Sequence, residues 1–109
     1  ANSVAAILLD ETPQSDGFVA TADVIAIGII DEIQARKKRV PEDIKVVGFD
    51  NTIFSTLYNP AITTVELNTY ELGCKSMEFL LSRIEKIETN IKSDHVLPYQ
   101  LIVKESSQK

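Results

Sequence analysis

The sequence predicts an α/β fold in which a parallel sheet is flanked by helices. Two short runs rich in β-branched and aromatic residues, "DGFVAT" at 16–21 and "IKVVGF" at 44–49, are separated by an apolar helical pattern at 23–38. A strand, a helix and a second strand in this order form the βαβ unit, whose crossover is right-handed in nearly all parallel sheets. A third apolar run, "AITTVEL" at 61–67, predicts a further strand.

Shorter helices are predicted on both sides of this unit. At the start of the chain, Val4, Ile7 and Leu8 share one helical face, and Pro13 closes the segment. A short helical turn is predicted at 52–57, directly after the second strand.

A long helix and a strand-forming tail complete the predicted order. Thr69 can cap a helix at 70–88. Its apolar stripe consists of Leu72, Phe79, Leu80, Ile84 and Ile87. The closing "HVLPYQLIVKES" predicts two short strand segments interrupted at Pro98.

Size and composition indicate one globular domain at most and exclude several classes of protein. The chain has 109 residues, of which 44% are hydrophobic, and a net charge of -5 that argues against a DNA-binding surface. Cys74 is the only cysteine, and together with the single His95 it cannot build the usual four-ligand zinc site. We therefore expect no metal and no cofactor. The longest apolar run, at 24–30, is too short to cross a bilayer, so no membrane contact is expected.

Three polar residues lie where predicted strands end. Asp23 stands just past the first strand, and Asp50 and Asn51 directly follow the second. Parallel α/β sheets bind ligands beyond the carboxyl ends of their strands, and a carboxylate there can accept hydrogen bonds from neighbouring sugar hydroxyls. This favours Asp50 as a binding residue, with Asn51 able to cap the next turn. For Asp23 the favoured interpretation is the N-cap of the following helix, and a binding role stays open beside it.

The segment "VIAIGII" at 24–30 is apolar on every side for nearly two helical turns. A helix on the surface of a sheet needs only one apolar face. A second element must therefore cover the segment. Another part of the chain could do so, but a partner subunit is the favoured interpretation.

Four stretches, in their order and spacing, resemble the LacI/GalR family of bacterial transcription repressors. They are "DGFVATADVIAIGIIDEI", "RVPEDIKVVGFDN", "NPAITTVELNTYELG" and "LPYQLIVKES". The resemblance implies the C-terminal part of a sugar-binding effector domain, a partial lobe of the periplasmic-binding-protein-like type I (Rossmann-like) fold. It also implies a cytoplasmic homodimer with a small sugar or sugar-phosphate effector. DNA would be contacted only through an N-terminal helix-turn-helix that these residues do not contain.

The resemblance assigns roles to individual positions. The acid of the family's "GFD" turn contacts effector hydroxyls, which implies the same for Asp50, with Asn51 and Asp23 beside it. Ala22 stands before Asp23 where the family often has an amide, and this departure leaves the identity of the effector open. The family dimerises through the helix and the turn that match 24–38 and 54–58. The implied interface residues are Ile27, Ile30, Phe54 and Tyr58.

The resemblance also divides the chain between two lobes. Residues 1–66 and 100–109 are expected in the C-terminal lobe, and residues 67–99 are expected to pack in the other lobe. The opening "ANSVAAILLDE" resembles the body of a helix without a start, so the chain is expected to be a C-terminal fragment. Two alternatives remain: an extracytoplasmic sugar-binding protein of a transporter, and a small α/β enzyme. The sequence offers no nucleophile and base pair for the second, so no enzyme activity is expected.

Overall fold

The computed structural model describes residues 2–85 and 96–108, which form four helices, four strands and one 3-10 turn. In chain order these are α1 (Asn2–Glu11), β1 (Gly17–Val19), α2 (Asp23–Ala35), β2 (Lys45–Val47), α3 (Ile53–Leu57), β3 (Thr64–Glu66), α4 (Thr69–Glu85), β4 (Gln100–Ile102) and the 3-10 turn Glu105–Ser107. The predicted order of elements is confirmed. Ile87 of the predicted stripe and His95 lie outside the described residues.

The strands form two small sheets that meet at one bridge. β1 pairs in parallel with β2, which places Phe18 opposite Val46 and confirms the βαβ unit. A single parallel bridge joins Val47 to Thr63. Beyond it, β3 pairs with β4.

The pairing of β3 with β4 is antiparallel, which the sequence did not predict. Glu66 at the end of β3 stands opposite Gln100 at the start of β4, so the chain leaves and re-enters the sheet at the same end. A strand that returns in this way must run in the opposite direction. Of the two strand segments predicted around Pro98, the described residues form only the second.

The core lies between the α1–α2 pair and the strands. Its residues are Ala5, Leu9, Ala20, Ala26, Ile29, Ile30, Ile33, Val40, Ile44, Val46 and Ile62. α1 packs against α2 and buries Ala5 and Leu9, whereas the side chains of Val4, Ile7 and Leu8 on its predicted apolar face are exposed. The Arg36 guanidinium joins the end of α2 to α1, because it donates to Asp10 Oδ1 at 2.7 Å and to the carbonyl oxygen of Ala6 at 3.1 Å.

The doubly apolar segment of α2 is covered mainly from within the chain. Ile30 is fully buried in the core, and its place in a dimer interface stays a prediction. Val24 and Ile25 remain 59% and 45% exposed at the start of the helix. Any partner would therefore meet the first turn of α2.

α4 stands apart from this core. None of its residues is buried against the described part of the chain. Its exposed apolar side chains are Tyr70, Leu72, Met77, Leu80, Leu81 and Ile84. The predicted long helix is confirmed over Thr69–Glu85, and Leu72, Leu80 and Ile84 of its predicted stripe are exposed. In residues 2–85 and 96–108, no helix combines the length and the apolar character that a membrane crossing needs.

Candidate functional site

The segment 50–52 lies at the carboxyl end of β2, beside β3, and joins β2 to α3. Asp50 and Asn51 both have left-handed backbone conformations, with φ of 95° and 50°. The N–H of Asp50 donates to the carbonyl oxygen of Val65 at 2.9 Å, and the N–H of Asn51 donates to Thr64 Oγ1 at 3.1 Å. These bonds hold the sharp turn against the neighbouring strand.

Asp50 presents an exposed carboxylate at this turn. Within the described residues, no hydrogen bond or ion pair reaches that carboxylate. A non-glycine residue with positive φ costs about 1–3 kcal/mol, which the surrounding hydrogen bonds must offset. The result is a fixed acceptor at the end of a parallel strand, which is where ligands bind in such sheets. The assignment of Asp50 to effector binding stays a prediction.

Asp23 is fully buried and does not face the solvent. Its Oδ1 accepts a hydrogen bond from Thr64 Oγ1 at 2.7 Å. Its Oδ2 accepts two, from the N–H of Thr52 at 2.6 Å and from Thr52 Oγ1 at 2.9 Å. In this structure the protein itself occupies both oxygens of Asp23, and the role of Asp23 in effector binding stays a prediction. The N-cap interpretation is wrong, since Ala22 is the N-cap and Asp23 is the first helical residue.

Asn51 is half-buried beside Asp50. Its Oδ1 accepts long hydrogen bonds from Ser55 Oγ and Lys104 Nζ, each at 3.4 Å. The predicted capping role is wrong, because Thr52 is the N-cap of α3 and makes no side-chain cap bond. The role of Asn51 in binding stays a prediction.

Sequence reasoning missed Lys104, which reaches the site from the segment after β4. Its Nζ donates to Ser55 Oγ and Thr56 Oγ1, both at 2.9 Å, and so attaches this segment to α3. The two groups are about half the chain apart, so no local pattern indicates the contact. A lone cation after the apolar run "LIV" was the only available signal.

The two adjacent threonines of the third strand were also missed. Thr63 and Thr64 are buried, and successive side chains of an extended strand point to opposite faces. Thr64 Oγ1 meets Asp23 on one face, whereas Thr63 Oγ1 accepts the N–H of Lys104 at 2.7 Å on the other. The "TT" pair in an otherwise apolar strand was the signal for buried hydroxyl contacts.

The predicted interface residues other than Ile30 lie on or near the surface. Phe54 is 54% exposed on α3, and Ile27 and Tyr58 are half-buried. The Tyr58 hydroxyl donates to Asp31 Oδ1. Burial, and then this bond to the Asp31 carboxylate, raise the pKa of Tyr58 to about 12. α3 thus connects the candidate site to the surface that carries the predicted interface residues Phe54 and Tyr58.

The described residues provide no group of three or more His, Cys, Asp and Glu side chains that could hold a metal ion. Cys74 is exposed on α4.

Comparisons with known proteins agree with the geometry. Residues 2–107 match the family model of the periplasmic binding protein-like domain. The ribose operon repressor of Halalkalibacterium halodurans is 35% identical over 107 residues, which are 98% of this chain and 32% of that protein. The chain thus spans about a third of the length of this curated relative.

Two solved structures share the fold over nearly the whole chain. A LacI family transcriptional regulator from Arthrobacter sp. FB24, in complex with lactose, has a TM-score of 0.83 and 29% identity, covering 98% of this chain and 40% of that one. A LacI family regulator from Enterococcus faecium, with bound ribose, has a TM-score of 0.81 and 29% identity, covering 97% and 38%. The predicted α/β fold class is confirmed. The chain therefore belongs to the periplasmic binding protein-like domain family, and the two solved structures that it resembles are LacI family regulators.

Proposed function

We propose that this chain forms one wall of a sugar-binding cleft and that Asp50 accepts hydrogen bonds from sugar hydroxyls. The observation that carries the proposal is the exposed Asp50 carboxylate, which no described residue occupies, at the carboxyl end of β2. The lactose and ribose in the two related structures support a sugar as the ligand. Asn51 adds a carboxamide next to this acceptor.

The remainder of the cleft would come from the rest of a full-length regulator that carries this chain. Residues 1–66 and 100–109 would belong to one lobe, and residues 67–99 would pack in the other. The absence of any buried residue in α4 against the described residues supports this division. Two copies would associate through Ile27, Phe54 and Tyr58.

Such a regulator would act in the cytoplasm as a repressor and bind DNA through a separate helix-turn-helix. The net charge of -5 supports a sensing role for these residues rather than a DNA-binding one. Sugar binding would close the cleft and change the affinity for DNA, which requires the sugar to bind the two states with different affinities. No covalent bond forms or breaks.

The test is Asp50→Asn in the full-length regulator. The substitution keeps the shape of the side chain but replaces one acceptor oxygen and removes the charge. A hydrogen bond to a charged group contributes about 1.5–3 kcal/mol, so affinity should fall about 10- to 150-fold. Calorimetric titration with D-ribose, lactose and a panel of other aldoses measures it.

The matched control is Asp16→Asn. Asp16 is exposed and precedes β1, so it lies at the other end of the parallel strands. Its replacement by asparagine removes the same charge as the replacement of Asp50. The sugar affinity of the Asp16→Asn variant should equal that of the wild type. Unchanged affinity in Asp50→Asn would remove Asp50 from the site, and no saturable binding of any sugar to the wild type would contradict the sugar-sensing role.

A further inference from the structure

We propose that Asp23 is a positioning residue for effector binding, whose buried carboxylate holds segment 50–52 in the conformation that presents Asp50. The inference rests on the proposed function of Asp50. It assigns the buried acid to the geometry of the loop, whereas sequence reasoning had placed it in contact with the ligand.

The first support is that Asp23 holds the chain on both sides of Asp50 and Asn51. Its N–H donates to the carbonyl oxygen of Phe49 at 3.0 Å, and its Oδ2 accepts from the N–H of Thr52 at 2.6 Å. The two residues between these contacts, Asp50 and Asn51, both have left-handed backbone conformations. Such conformations persist only where the surroundings impose them. Asp23 supplies that constraint at both ends of the turn, through its backbone N–H at Phe49 and through its carboxylate at Thr52.

The second support is the indirect contact through Thr64. Thr64 Oγ1 donates to Asp23 Oδ1 at 2.7 Å and accepts from the N–H of Asn51 at 3.1 Å. A hydroxyl has one hydrogen, so donation to the carboxylate leaves its lone pairs for Asn51. The carboxylate therefore orients the hydroxyl that holds the middle of the turn. We call the bonds of Asp23 to Phe49, Thr52 and Thr64 the Asp23 clamp.

The third support is that the side-chain bonds of the Asp23 clamp, those to Thr52 and Thr64, need a carboxylate. Asp23 accepts three hydrogen bonds on two oxygens, and a carboxamide would turn an NH₂ group toward either Thr52 or Thr64. The ion pairs between described residues do not include Asp23. A fully buried carboxylate without a cation depends on its hydrogen bonds, so losing one should displace the turn.

The test is a double-mutant cycle between Asp23 and Asp50 in the full-length regulator. Affinities for D-ribose and lactose are measured by calorimetry for Asp23→Asn, Asp50→Asn and the double variant. If Asp23 acts through Asp50, Asp23→Asn should weaken binding about tenfold or more alone and have little effect when Asp50 is already replaced. A purely structural role would not produce this coupling.

Ser106→Ala is the structural control. Ser106 is also fully buried, and its Oγ donates to the carbonyl oxygen of Val46 at 2.5 Å and accepts from the N–H of Thr63 at 2.8 Å. The substitution breaks a buried polar contact away from segment 50–52. It should lower the melting temperature as Asp23→Asn does but leave sugar affinity unchanged.

Hydrogen exchange provides a readout that needs no ligand. Peptides covering residues 50–52 should exchange faster in Asp23→Asn than in the wild type, and Ser106→Ala should leave them protected. Thr64→Val should reproduce the faster exchange, whereas Thr64→Ser, which keeps the hydroxyl, should restore protection. Equal protection in all variants would overturn the proposal whether or not either sugar binds.

The outcomes separate the two proposals. If Asp50→Asn leaves the affinity unchanged, the proposed function fails. If Asp50→Asn weakens binding but the effects of the two substitutions add, or if Ser106→Ala weakens binding equally, only the positioning role of Asp23 fails.

Discussion

At the scale of single residues, Gly48 is the neighbour that makes room for the Asp23 carboxylate. A Cβ added at Gly48 would overlap Asp23 Oδ1 and would lie 3.2 Å from Asp23 Cα and 3.3 Å from Ile62 Cγ2. Asp23 cannot move aside without breaking its hydrogen bonds. We expect Gly48→Ala to lower the free energy of unfolding of the 109-residue chain by about 1–3 kcal/mol, measured by urea denaturation.

Gly73→Ala gives the comparison for this substitution. Gly73 lies within α4, and apart from its chain neighbours and the backbone of its own helix, no heavy atom of the described residues stands within 4 Å of a Cβ added there. Alanine favours helix over glycine by about 1 kcal/mol, so the free energy of unfolding should stay equal or rise slightly. Equal stabilities of the two variants would contradict the close approach of Gly48 to Asp23.

The two acids of the candidate site show what the sequence could predict at this scale. The rule that ligands bind beyond strand carboxyl ends made both Asp23 and Asp50 candidates. Their environments differ because Gly48 and Thr64 admit Asp23 into the interior, while Asp50 turns outward with positive φ. Thr64 is distant from Asp23 along the chain, and no local pattern reports such a contact.

At the scale of elements, the hydrogen bond from Tyr58 to Asp31 joins α3 to α2. Burial and this bond raise the pKa of Tyr58 to about 12, whereas a tyrosine in the unfolded chain ionises near 10. The stability that this contributes is fully present below pH ~10 and is lost as the pH rises toward 12, because the unfolded chain releases the proton first. We expect the free energy of unfolding to fall over this interval.

Urea denaturation across this pH range compares the wild type with two variants. Tyr58→Phe should show a smaller decrease above pH ~10, because it has no phenol at that position to ionise. Tyr99→Phe, at a position that is 71% exposed, should behave as the wild type does. If the free energy of unfolding depends on pH identically in Tyr58→Phe and in the wild type, the hydrogen bond between Tyr58 and Asp31 does not form in solution.

Elements also mark where sequence patterns stop being informative. The helical period placed α1 correctly, but the face that it buries, with Ala5 and Leu9, depends on how α1 packs against α2. Likewise the apolar run of β4 indicated a strand, whereas its antiparallel direction depends on where the chain re-enters the sheet. Periodicity predicts that an element exists, while contacts between elements determine its orientation.

At the scale of the whole molecule, the chain is extended. The Cα radius of gyration is 18.2 Å, whereas a compact domain of this length has about 13 Å. Exposed apolar side chains occur on α1, at the start of α2, on α3, on α4 and around β4. Exposed apolar surfaces of this kind are typical of interfaces.

We expect the isolated 109-residue chain to be at least a dimer at micromolar concentration, with α2 and α3 at the contact. Phe54→Asp should convert it to a monomer, because a carboxylate at the centre of an apolar contact would lose its hydration without gaining a partner. Light scattering coupled to size exclusion measures the mass. Leu80→Asp on α4 is the matched control, since Phe54 and Leu80 are 54% and 52% exposed. It should keep the wild-type mass. A monomeric wild type would leave Phe54 without a partner, and a loss of mass in Leu80→Asp alone would place the contact on α4.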